Sequence, residues 1–147
     1  MSEPMFVTLR LGGKIRRGTL IDLVYLIEQY HTESDVMDDI VSRAARGTSA
    51  TIYLSDVNYG DIGDVLAFCE ENGIDYIYHC EAKWEADAIL SSFIGGVLRE
   101  TYSTQDGDPL LGLYDVEKIF RESSNPTEEL IAAVTPPSLD KLEIVDV

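Results

Sequence analysis

The stretch Ile74-Asp75-Tyr76-Ile77-Tyr78-His79-Cys80-Glu81-Ala82-Lys83-Trp84-Glu85-Ala86-Asp87 decides the fold. Ile74, Tyr76, Tyr78, Cys80, Ala82, Trp84 and Ala86 hold the even positions. Asp75, Ile77, His79, Glu81, Lys83, Glu85 and Asp87 hold the odd ones. Successive side chains of a strand point to opposite faces, so a period of two gives one apolar face and one mostly charged face. The stretch therefore predicts a half-buried strand, or two strands joined near Glu81 and Ala82 that stay in phase. Ala82, Ala86, Ile89, Leu90 and Phe93 also suit a helix, so residues 84–94 are open between strand and helix.

Upstream, residues 5–11 alternate in the same way and predict a strand, which Gly12-Gly13 should end with a turn. Leu20, Leu23, Val24 and Ile27 stripe a helix over 20–30 capped by Thr19. Ile21, Tyr25 and Leu26 widen that stripe, so the helix should be largely buried. Ser34 should cap a second helix over 35–46, with Val36, Met37, Ile40, Val41 and Ala44 inward and Gly47 just past its end. Residues 50–54 read as a buried strand and 55–61 as a loop. Ile62, Val65, Leu66 and Cys69 stripe a third helix over 62–72.

Downstream, Gly95-Gly96 and Gln105-Asp106-Gly107-Asp108-Pro109 are turn chemistry. Short helices are expected over 114–121 and 127–134, the second stopped by Pro136-Pro137. The expectation is an α+β two-layer sandwich, a mixed sheet of four to five strands with helices packed on it. Residues 1–138 would form one domain. Residues 139–147 would be an acidic tail that adds an edge strand or stays loose.

The chain has 147 residues, 45% of them apolar, and a formal charge of −16. That apolar share excludes a wholly disordered acidic tail. A chain of this length buries roughly 70% of the surface that its unfolded form exposes, enough for a core without staples. The acidity argues against direct binding of nucleic acid and against docking on anionic lipid. Residues 1–10 are too polar for a signal peptide, and no apolar run approaches the roughly 20 residues of a membrane helix. A cytoplasmic protein with two reduced thiols, Cys69 and Cys80, is the simplest reading. Both cysteines fall on apolar faces and should be buried and inert. Tyr53, Tyr76 and Tyr78 are expected in the core.

The stretch Asn58-Tyr59-Gly60-Asp61 through Phe68-Cys69-Glu70-Glu71-Asn72-Gly73-Ile74-Asp75-Tyr76, then Glu81-Ala82-Lys83-Trp84-Glu85, resembles a group of small acidic, uncharacterised bacterial proteins of mobile elements and accessory genomic regions. Leu11-Gly12-Gly13 and Gln105-Asp106-Gly107-Asp108-Pro109 share the resemblance, which spans about two-thirds of the chain. It implies an accessory role in bacteria or phage, and brings no catalytic residues with it.

The charge is unevenly placed. Residues 1–17 hold Arg10, Lys14, Arg16 and Arg17 against Glu3, while residues 18–147 carry −19. From Asp56 to Asp87 nine acids face one base, Lys83. Like charges so close repel and cost stability. They suit a patch that imitates nucleic-acid phosphates, although solvation of an outer face explains them equally well. The basic cluster can pair with acids of the same fold or of a second copy. Asp61 can cap the third helix, whereas Asn58 and Tyr59, in a loop between strand and helix, can also touch a partner.

Catalytic patterns are sparse. Glu81-Ala82-Lys83 matches the E-x-K element of metal-dependent nucleases, with Asp75, His79, Asp56 or Asp61 as further ligands. His31, Cys69, His79 and Cys80 lack zinc spacing, and Leu11-Gly12-Gly13-Lys14 lacks the P-loop spacing. The leading expectation is a non-enzymatic factor without cofactor. It would block a basic nucleic-acid-binding site of a bacterial defence protein, as anti-CRISPR or anti-restriction DNA mimics do. Asp61, Asp64, Glu70, Glu71, Glu81, Glu85, Asn58 and Tyr59 would form its partner-binding site. The alternatives are a small-molecule or immunity-type binding module, with a homodimer as an option, and a nuclease acting through Glu81 and Lys83.

Overall fold

The computed structural model describes residues 4–32, 35–82 and 87–146. The chain runs β1 (Pro4–Arg16), α1 (Arg17–Ile27), β2 (His31–Thr32), α2 (Val36–Ala45), β3 (Ala50–Asn58), α3 (Gly63–Glu71), β4 (Asp75–Cys80), β5 (Ile89–Ile94), β6 (Val97–Tyr102), α4 (Leu113–Glu122), α5 (Pro126–Val134) and β7 (Leu142–Val145). It is an α+β protein with one open sheet. The strand order is β2-β3-β1-β4-β5-β6, with neighbours antiparallel. β7 lies parallel to the second half of β1. Among the described residues the sheet has seven strands rather than four to five. β7 is the edge strand that residues 139–147 were open to. The excess comes from β2, too short for periodicity to register, and from the β5–β6 pair, which begins in the stretch left open between strand and helix.

β1 is the axis of the core. Val7, Leu9 and Leu11 are buried and point to one face. Leu54, Ile52 and Ala50 of β3 stand opposite them on one side, and Cys80, Tyr78 and Tyr76 of β4 on the other. Leu20, Leu23, Val24 and Ile27 of α1, Val36 and Ile40 of α2, and Val65 and Cys69 of α3 close the same cluster. Each large aliphatic side chain in it contributes about 1.5–3 kcal/mol by leaving water. Both thiols are free and buried. Ile21, Tyr25, Val41 and Tyr53, expected inside, are exposed, because each element has one neighbouring layer and a widened stripe outruns it.

Two boundaries differ from expectation. Gly12-Gly13 does not end β1. Gly12 is buried where a Cβ would overlap the Asp140 carbonyl and Leu139, and Gly13, at φ 78°, donates its N–H to Lys141 O at 3.1 Å. The glycines thus let the C-terminal segment cross over β1, so that β7 pairs with Gly13–Arg16 and Leu142 enters the core. α1 begins at Arg17 without a side-chain cap, which leaves Thr19 inside it. The Ser34 cap lies outside the described residues. Asp35 fills that role, accepting from the Asp38 N–H at 3.0 Å.

β3 likewise continues past the expected loop start, through Asn58. The deciding stretch forms β4 only to Cys80, and Lys83, Trp84, Glu85 and Ala86 lie outside the described residues. Its odd face is not open to water at every position. Ile77 is buried, and the 103–109 segment covers His79, whose Nε2 lies 3.2 Å from Thr104 O. Beyond it, β5 and β6 form a hairpin through Gly95-Gly96, both at positive φ as a two-residue turn requires. α4 and α5 pack on each other, and neither has a buried residue.

Candidate functional site: an acidic rim at one end of the sheet

A bulge builds the rim. Met5 pairs with Val57 and Val7 with Leu54, so Ser55 and Asp56 together oppose the single residue Phe6. Such an insertion bends and twists the strand. Asp56 takes it up at φ 56° and Tyr59 turns the chain again at φ 55°, a region that few non-glycine residues enter. Two hydrogen bonds close the turn: Gly60 N–H to Val57 O, and Asp61 N–H to Asn58 O, each at 3.1 Å.

Gly60 locks that turn to the sheet. Tyr78 Oη donates to its carbonyl at 2.6 Å, and the glycine is buried against Cys80 Sγ and Tyr78 with no room for a Cβ. Burial raises the Tyr78 hydroxyl well above its ordinary value, so it remains a donor. Asp61 then accepts from the Gly63 N–H at 2.8 Å and fixes the start of α3. Asp64, in the first turn, suits the positive end of the helix and accepts from Tyr30 Oη at 2.5 Å. Burial first, and Asp64 next, push the Tyr30 hydroxyl up as well.

Glu81 joins from just past the end of β4. Its N–H donates to Phe6 O at 3.2 Å, and with Phe6, Ser55 and Asp56 it lines a hollow of about 380 Å³ over the bulge. Asn58, Tyr59, Asp61, Asp64 and Glu81 therefore stand at one end of the sheet, and the bulge adds Asp56. Glu70 and Glu71 do not stand there. Six or seven residues along α3 from Asp64 place them about 9–11 Å toward its other end. Glu70 also turns to another flank: it accepts from Tyr76 Oη at 3.5 Å, on the β4 side, while Asp64 meets Tyr30 of the segment after α1. Glu85 lies outside the described residues.

The electrostatics follow from the missing counter-charges. The ion pairs seen among the described residues, Arg17–Asp146 at 2.6 Å and Lys141–Glu143 at 3.3 Å, both involve the C-terminal segment. Arg17 of the basic cluster is thus engaged within its own chain. None of Asp56, Asp61, Asp64, Glu70, Glu71, Asp75 and Glu81 has a cationic partner among the described residues. Their hydrogen bonds come from hydroxyls and amides, which hold a carboxylate in place without cancelling its charge.

The E-x-K constellation does not assemble from what is described. Asp75 accepts from the Gly95 N–H at 3.1 Å and ties down the β5–β6 turn. His79 lies beneath Thr104 and Gly107. Lys83 is outside the described residues. Among those residues no three His, Cys, Asp or Glu side chains are grouped to hold a metal ion. Burial, and next Glu70, push the Cys69 thiol up to about 12, which makes it a poor nucleophile.

Sequence reading missed Tyr30 at the rim, and named Asp56 as the start of the acidic block and as a metal-ligand candidate but left it out of the partner-binding set. It also missed the open side of β6, although Val97 and Leu98 next to a glycine turn were a signal for it. Compared with protein-family models, with curated proteins and with solved structures, the chain matches none.

Proposed function

We propose that the protein is a non-enzymatic, acidic protein-binding factor that sets its rim against a basic, nucleic-acid-binding surface of a partner. The kind of partner proposed is a bacterial defence protein whose DNA or RNA groove the rim occupies, in the manner of anti-CRISPR or anti-restriction DNA mimics. One observation carries the reading. Asp56, Asp61, Asp64 and Glu81 share one end of the sheet with no cationic partner among the described residues, while the ion pairs seen among those residues, Arg17–Asp146 and Lys141–Glu143, both engage the C-terminal segment.

A surface that only needed hydration would gain from interspersed bases, since a charge magnitude of roughly 2–8 suffices for a small domain. Here −16 is carried, and the rim acids are held by a bulge, a locked turn and a tyrosine. Fixed like charges raise the field in front of them and speed encounter with a basic groove.

The test is binding of the purified chain to nucleic-acid-binding defence complexes as salt rises. The triple variant Asp61→Asn, Asp64→Asn, Glu81→Gln keeps every hydrogen-bond acceptor and removes three charges. It should weaken binding at least ten-fold and flatten the salt dependence. Binding indifferent to salt would end the proposal.

A further inference from the structure

The β6 edge is open, and its hydrogen-bonding side follows from the hairpin. Ser103 N–H bonds Ala88 O at 3.0 Å, and Ile94 pairs with Val97 across the two-residue turn. In an antiparallel ladder the bonded pairs alternate, so Val97, Arg99 and Thr101 aim their amides and carbonyls at β5. Leu98, Glu100 and Tyr102 aim theirs away from the sheet. The Tyr102 carbonyl is used, since Leu110 N–H bonds it at 2.9 Å. Leu98 and Glu100 have no backbone partner on that side among the described residues, and β6 has no strand neighbour there besides β5.

Such an edge invites another strand, and proteins usually blunt it. This one keeps three exposed apolar side chains, Val97 at 67%, Leu98 at 55% and Tyr102 at 63%. Of its two charges, Arg99 donates to Ala133 O of α5, and Glu100 is exposed and accepts from Ser91 Oγ at 3.0 Å through one oxygen. Along it runs a groove of about 470 Å³ with Ile89, Tyr102 and Leu110 as walls and Glu100 and Asp115 as its carboxylates.

We infer that β6 is a docking edge for an extended, lysine-bearing segment of a partner protein, which adds to the sheet as a further strand. Main-chain bonds to Leu98 and Glu100 give the pairing. Alternate side chains of the incoming strand fall on the groove. A lysine there lays its methylene stem against Ile89, Tyr102 and Leu110 and brings its ammonium to Glu100 and Asp115. A second copy of this chain fits the same edge poorly. Centred on residue 99 or 100, self-pairing sets Arg99 against Arg99 or Glu100 against Glu100 of the other copy, and centred on Leu98 it runs into the glycine turn. Both copies also carry −16. This surface is separate from the acidic rim and does not rest on the function proposed for it.

The probe is a blocked hexapeptide of alternating lysine and valine, added to the full ¹⁵N-labelled chain at low salt. The readout is amide hydrogen exchange. Exchange at Leu98 and Glu100 should slow at least ten-fold, with the Leu9 and Tyr78 amides unchanged, and a glutamate–valine peptide should have no effect. Leu98→Pro should abolish the protection. Glu100→Lys, at an exposed position, should reverse the preference in favour of the glutamate peptide even if the proline variant does not fold. The rim variant Asp61→Asn, Asp64→Asn, Glu81→Gln should keep full protection, so the two surfaces fail separately. Unchanged exchange at saturating lysine peptide would overturn the proposal. So would protection that grows with protein concentration in the absence of peptide, the sign of a second copy.

Discussion

Gly60 has both a conformational and a steric reason to be glycine: a φ of 67°, and Cys80 Sγ where a Cβ would lie. Gly60→Ala should cost about 2–4 kcal/mol from left-handed strain and overpacking, measured by urea denaturation. A cost below about 1 kcal/mol would show that the turn is not locked to the sheet. The raised hydroxyls and thiols carry a second expectation. Tyr30, Tyr76, Tyr78 and Cys69 all release their protons less readily folded than unfolded. Their contribution is complete below the ordinary values of 9.0 for the thiol and 10.0 for the tyrosines, and is lost as pH rises above them. Cys80 is raised from the same ordinary value, by burial first. Stability should therefore begin to fall just above pH 9, and only Cys69→Ala combined with Cys80→Ala should delay that onset toward pH 10. An onset unmoved by the pair would remove the thiols from the account.

At the scale of elements, β7 is the edge strand that residues 139–147 were open to, but its share in the core was hidden in the sequence. Leu142 is 1% exposed and belongs to the main cluster. Leu142→Ala should lose about 2–5 kcal/mol, and deletion from Ser138 onward should lower Tm strongly. A truncated chain with unchanged Tm would make β7 a decoration. The alternation of residues 5–11 and the stripes of α1 to α3 were readable because burial on one face imposes a period that short windows retain. Gly12-Gly13 read as a stop because its reason for being glycine, the segment from Leu139 to Lys141, lies at the far end of the chain. The candidate site divides in the same way. Residue identities located the acids, and Asp61 as the anchor of α3 was foreseeable. Which acids share a surface depends on helix phase: Asp64 and Glu70 lie about 120° apart around α3, a separation that counting charges along the chain does not register.

For the whole molecule, α4 and α5 change what the charge means. α4 carries Leu113, Val116, Ile119 and Phe120 on one arc, yet Leu113 is 73% exposed and Phe120 61%. A helix so amphipathic and so uncovered adds little to folding. Leu113→Ser with Phe120→Ser should therefore shift stability by less than about 1 kcal/mol, whereas Leu9→Ala should cost about 2–5 kcal/mol. A large loss from the α4 pair would place that helix in the folding core after all. The molecule thus has a firm half, built on β1 with α1 to α3, and a half whose apolar groups face outward beside β6.

The acidic rim stands on the firm half, and its role is what most needs measuring. Fluorescence polarisation of labelled duplex DNA held by bacterial defence complexes, titrated with this chain at several salt concentrations, tests it directly. The account predicts displacement of the DNA that weakens steeply with salt and is lost, at least ten-fold, in the Asp61→Asn, Asp64→Asn, Glu81→Gln variant. Displacement that survives the loss of those three charges, or no displacement at the lowest salt, would contradict it.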